Sequence, residues 1–208
     1  LSTNPWVQIP ETVDDVVDEL ATATTAGSPA LAVLPVLKPH ARFVVSPRVG
    51  LPQRSVNVPR GTVARWWVGT HGGAGETTLE QLLEGTRATG HAWPQTDEPG
   101  SEPPQVLLVA RTSARGLRSA QLAAIEWASG KVAVRLHGLV LIADAPGRLP
   151  KPLKDLAHVV GGGVPRVWRL PWVEAWRLGE PVSAETAPRA VTAVLDELRS
   201  SNLIMSIT

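Results

Sequence analysis

The sequence predicts an α/β fold: a mostly parallel sheet with helices on both faces, preceded by a Pro-rich N-terminal arm. Three observations lead there. Gln105 to Ala110 and Leu139 to Ala143 are continuous apolar runs of strand length, the pattern of strands buried on both faces rather than on one. These runs alternate with stretches of helical periodicity, which points to strands joined by crossover helices. Trp66-Trp67-Val68 leads into the glycine-rich Gly69 to Gly75 and then Glu76-Thr77-Thr78-Leu79, a strand, turn and helix start of the kind that presents backbone N–H groups to an anion.

In chain order, residues 1–60 are expected as an acidic helix and Pro-rich arm, and residues 61–208 as the α/β domain. Val13, Val16, Val17 and Leu20 fall on one helical face of Pro10 to Ala23, with Asp14, Asp15, Asp18 and Glu19 on the other. Prolines at 29, 35, 39, 47, 52 and 59 then forbid a long helix and most central strands. Val63 to Val68 is the first core strand, and Thr77 to about Arg87 the helix after the glycine turn. Trp66 and Trp67 must face opposite sides of the sheet, both as core residues. Thr96 to Pro104 is polar and proline-rich, hence a loop. Strand Gln105–Ala110, helix Gly116–Ala128 and a strand within Val132–Ala143 follow. A helix from Pro152 to Val160 stops at three glycines, Arg166 to Leu170 forms the next strand, and Pro171 to Gly179 a turn or short helix. Ala184 to Ser200 is the closing helix.

Composition narrows the function. Among 208 residues, 20 Lys and Arg balance 19 acidic residues for a formal charge of +1, with no polybasic run, so direct nucleic-acid binding is not indicated. The absence of cysteine excludes disulfides, thiolate metal sites and cysteine nucleophiles. No apolar run approaches the roughly 18 residues of a membrane span, and the N-terminus lacks the basic-then-apolar pattern of a signal peptide. A soluble, cytoplasmic protein is therefore expected. Eight tryptophans beside one phenylalanine and no tyrosine, with abundant Ala, Val, Arg, Pro and Gly, suggest a GC-rich bacterial genome.

His71-Gly72-Gly73-Ala74-Gly75-Glu76-Thr77-Thr78 resembles the deviant Walker A motif of the ParA/MinD group of P-loop ATPases, lysine-Gly-Gly-x-Gly-lysine-Thr-Thr. Val106 to Ser113 with Gly116 to Ala120, Leu136 to Ile142, and Val167 to Trp172 with Ala175 to Gly179 look like later segments of the same group, so the resemblance runs from about Gly61 to Ser200. The tail from Leu149 to Pro181 is similar to a family of uncharacterised actinobacterial proteins linked to plasmid or conjugative elements. What the resemblance implies is a reduced P-loop fold with Gly72, Gly73, Ala74, Gly75, Glu76, Thr77 and Thr78 around a nucleotide, and Thr77 on its magnesium ion.

The departures argue against ATP and magnesium. His71 replaces the signature lysine, Thr70 stands at the motif's first glycine, and Glu76 replaces the phosphate lysine. At about 4 kcal/mol for a unit charge pair 4 Å apart, exchanging lysine for glutamate beside a triphosphate moves binding the wrong way by up to about 8 kcal/mol. Only Arg87 to Gln105 separates the first helix from the next strand, where ParA-type enzymes fit two more strands, the switch aspartates and a Walker B acid. The expectation is a degenerate, non-catalytic or weakly active domain acting as an interaction or regulatory component of an intracellular complex. The alternative is a ParA/MinD-like ATPase in which Arg65, Arg111 or a partner protein's lysine supplies the lost charge.

Other candidate chemistry is thinner. Asp144 ends a strand where a Walker B carboxylate could lie, but Asp144-Ala145-Pro146-Gly147 is a turn sequence. His71, His91, His137 and His158 have no metal-ligand spacing, and Ser113 has no nucleophile elbow or sequence-level base. No catalytic residue is expected. Arg166 to Arg177 gathers three tryptophans and three arginines, and Trp168, Arg169, Trp172 and Trp176 are the expected partner-binding residues. That partner is an unidentified protein or a second copy of the chain.

Overall fold

The computed structural model describes residues 50–56, 65–97 and 99–203, all within one compact unit, Ser46–Thr208. The expected acidic helix over residues 10–23 and the Pro-rich segment up to residue 49 lie outside the described residues, as do the first residues expected in the Val63–Val68 strand.

In chain order the elements are β1 (Gln53–Ser55), β2 (Arg65–Gly69), α1 (Glu76–Leu82), β3 (Thr86–Ala88), β4 (Trp93–Gln95), β5 (Gln105–Arg111), α2 (Ala114–Ala128), β6 (Arg135–Ile142), α3 (Lys151–Gly161), β7 (Val167–Leu170), α4 (Glu174–Arg177) and α5 (Arg189–Leu203). Five strands form one sheet in the order β3-β2-β5-β6-β7, and every pairing is parallel. Mixed α/β architecture with a parallel sheet is thus what the apolar runs predicted.

The pleat sends alternate side chains to opposite faces. On one face Trp66, Val68, Val106, Leu108, Leu139 and Leu141 pack against Leu117 and Ala120 of α2 and Ala157 and Val160 of α3. On the other, Trp67, Leu107, Val109, Val140 and Leu170 pack against Leu79 and Leu82 of α1 and Val191, Leu195 and Leu198 of α5. The two adjacent tryptophans are therefore core residues of separate layers, as expected. Burying each leucine stabilises the fold by roughly 1.5–3 kcal/mol. Gly138 follows a bulge at His137 and lets β7 close in: a β-carbon there would lie 2.3 Å from the Arg166 carbonyl oxygen.

Four expectations are corrected. The helix expected to reach Arg87 ends at Leu82, because Leu83 turns extended and the Thr86 hydroxyl, donating to the Leu83 carbonyl at 2.6 Å, redirects the chain into β3. Thr89 to Gln95, left without an element, contains β4. Residues 51–56, expected in the arm, run into the domain instead, where β1 pairs in parallel with β4. The closing helix starts at Arg189 rather than Ala184, since Ser183 caps a turn by accepting the Thr186 N–H at 3.1 Å, and Pro188 disfavours helical geometry at Ala187.

Candidate functional site

In an open parallel sheet, loops from the carboxyl ends of the strands form the ligand crevice, deepest where successive connections leave in opposite directions. Here β2 connects through α1 to β3 on one side, while β5 lies on its other side and its helix covers the opposite face. The glycine turn after β2 and the Arg111 to Ser113 loop after β5 flank this switch point.

Gly75 adopts a left-handed conformation, φ 106°, and hands the chain to α1 with no side-chain cap. Glu76 is the first helical residue and is only 6 % exposed. Its carboxylate folds back into the turn, where Oε2 accepts the Gly75 N–H at 3.0 Å. The carboxylate lies on the end of β2: a β-carbon at Gly69 would come within 2.6 Å of it. The Ala74 N–H is engaged as well, donating to the His71 carbonyl at 3.2 Å. Two of the N–H groups the turn could offer an anion thus serve the protein itself.

His91 and the charge of Arg111 face this internal anion, and His71 braces the turn beside it. His91 Nδ1 lies 3.5 Å from Glu76 Oε1 and 3.1 Å from the Gly69 carbonyl oxygen, a position that requires the proton on Nδ1. His71 Nε2 accepts the Arg111 backbone N–H at 3.0 Å, so its proton is on Nδ1, which donates to the Gly72 carbonyl at 3.0 Å. The Arg111 guanidinium donates from Nε to the Gly73 carbonyl at 3.3 Å and from Nη1 to the Ala143 carbonyl at 3.1 Å, tying the turn to the end of β6. Burial lowers the Arg111 pKa, Asp144 and Glu76 oppose that shift, and Arg177 adds to it. A guanidinium stays charged through such shifts, so the buried carboxylate has a cation in its field.

The remaining candidates scatter. Gly72, Gly73 and Thr77 are exposed, Thr78 is half-buried, and Ala74 is packed in the core. Among the described residues no group of three or more His, Asp or Glu side chains could hold a metal ion. Arg65 begins β2 at the other end of the sheet from the turn and donates to the Leu198 carbonyl and the Ser201 hydroxyl, at 3.1 and 3.2 Å. Asp144 is exposed in a turn and its N–H donates to the Thr112 hydroxyl at 3.1 Å. Trp168, expected on a partner surface, is 4 % exposed and belongs to the core, because β7 alternation turns it inward beneath α5. Arg169 is exposed, Trp172 and Trp176 are half-buried, and nearby Leu178 is 73 % exposed.

Sequence reasoning missed a pocket of about 390 Å³ at the carboxyl ends of β5, β6 and β7. Leu141, Leu149, Leu153 and Leu170 line it, with Arg148 and Arg169 among its polar groups. The signal was the turn Asp144 to Gly147 followed by Leu149 just before α3 and Leu153 in its first turn, but their convergence depends on the β6–β7 pairing.

A family model described as "Family of unknown function (DUF6668)" matches residues 62–195. No curated protein and no solved structure matches the chain. No helix among the described residues is long and apolar enough to cross a membrane.

Proposed function

The chain belongs to the DUF6668 family, whose function is unknown, and we propose that it is a degenerate P-loop-like domain, non-catalytic or weakly active, acting as an interaction or regulatory component of an intracellular complex. The plasmid or conjugative setting suggested by the sequence resemblance is part of the same proposal. One observation carries it: the Glu76 carboxylate accepts the Gly75 N–H and lies against Gly69, where a polyphosphate would need both the donor and the space. A negative group already in the turn repels a second one, and in a partly desolvated site the repulsion exceeds its value in water. Exposed Arg169 and Leu178 with half-buried Trp172 and Trp176 supply the composition of a protein-binding surface.

The alternative, a ParA/MinD-like ATPase with a substituted lysine, is left with Arg111 or a partner protein's lysine as its cation, since Arg65 is committed to α5. Calorimetric titration of the full chain with ATP and magnesium decides between them. The expected result is no saturable heat up to millimolar nucleotide and no hydrolysis above background. Micromolar binding, or steady turnover by the purified chain alone, would establish the alternative.

A further inference from the structure

We propose that the pocket at the carboxyl ends of β5, β6 and β7 binds a small molecule with an apolar body and a single anionic group. The site is separate from the glycine turn, and its occupancy does not depend on whether that turn takes nucleotide.

Size comes first. At about 390 Å³ the pocket falls within the range of small-molecule sites, roughly 300–1,000 Å³. Its walls supply an apolar environment: Leu141 and Leu170 come from buried strand positions, while Leu149 and Leu153 are half-buried at the entrance to α3. Such walls favour a compact apolar body over a sugar or a polyphosphate.

Charge at the mouth then selects the polar end. Arg148 and Arg169 both line the pocket and are exposed, and neither forms an ion pair among the described residues. The one carboxylate on the lining, Asp144, acts on Arg111 behind the pocket, raising its pKa. Two guanidiniums against one partly compensated carboxylate leave a positive rim, and a guanidinium fork matches a carboxylate or sulfonate. The Thr112 and Ser113 hydroxyl oxygens accept the Asp144 and Gly116 N–H groups respectively, so on the lining their O–H groups can add neutral donors beside the two charged guanidiniums.

The test uses two probes with one body. The full chain is titrated with 1-anilinonaphthalene-8-sulfonate and with N-phenyl-1-naphthylamine, its counterpart without the sulfonate, following fluorescence. One saturable site is expected, with the sulfonate binding about tenfold more tightly. The double variant Arg148→Ala, Arg169→Ala should lose that preference while still binding the neutral probe. Leu153→Trp should fill the pocket and abolish both signals. Ala145→Trp, at an exposed position on the lining, repeats the blockade where the fold is least at risk, and circular dichroism melting checks each variant. Equal or tighter binding of the neutral probe by the unmodified chain, or signals unmoved by both tryptophan variants, would overturn the proposal.

Discussion

Gly69 has no β-carbon, and the Glu76 carboxylate lies 2.6 Å from where one would be. The sequence showed the exchange of lysine for glutamate but not the direction of the side chain, because that depends on how the turn folds back on Gly69 and on His91, which reaches the site from beyond β3. His137 is a second residue whose state only the fold reveals. It is the extra residue of the β6 bulge, and its Nε2 is buried with no hydrogen-bond partner among the described residues. Burial first, and then the charges of Arg65 and Arg135, push its pKa down from 6.5 to about 4. The folded chain therefore keeps the ring neutral, while the unfolded chain takes up a proton below about 6.5. The associated stability is fully present above that pH and is lost as pH falls toward about 4. Allowing for solvent screening, the loss amounts to about 1–2 kcal/mol. Urea unfolding at pH 7 and pH 5 should show a smaller fall in stability for His137→Gln than for the unmodified chain; equal falls would remove His137 from the account.

At the scale of elements, the long strands and helices were legible because each carries its own pattern: five consecutive buried residues in β5, and helical spacing of apolar residues in α2 and α3. The short ones were not. β1, β3 and β4 are three residues each, and β4 contains Pro94, tolerated because its two-stranded sheet has no strand beyond it among the described residues. Two such strands do not hold together alone. Glu126 of α2 fixes them from outside: its Oε2 accepts the Leu51 N–H and the Trp93 indole N–H, both at 3.0 Å. Glu126→Ala leaves these donors without their acceptor and should cost about 1–3 kcal/mol. The sharper readout is hydrogen exchange at Val56, whose N–H donates to the Gln95 carbonyl at 2.8 Å. It should speed up in the variant while amides of β5 stay protected.

For the whole molecule, alternation of apolar runs and helices was enough to predict a parallel sheet covered on two faces, but not its strand order. Order depends on which edge each strand joins, and placing β3 outside β2 opens the switch point beside the glycine turn. The pocket stayed hidden for a related reason, since its walls come from three separate stretches of chain. Protection should follow the same order. Native-state hydrogen exchange is expected to be slowest in β5, which is central and buried, slower in β2 and β6 than in β7 and β3, and fastest in the β1–β4 pair. Uniform protection across both sheets would mean that the small sheet unfolds only with the large one.

A protein whose anion cradle is vacant gains stability from whatever phosphate compound fills it, in proportion to the logarithm of that compound's concentration. With Glu76 tethered in the turn by its own chain, the occupant is present at a fixed ratio of one per molecule and cannot be washed out. Under the proposed function, folding at this end of the sheet is then indifferent to the concentration of nucleotide around it.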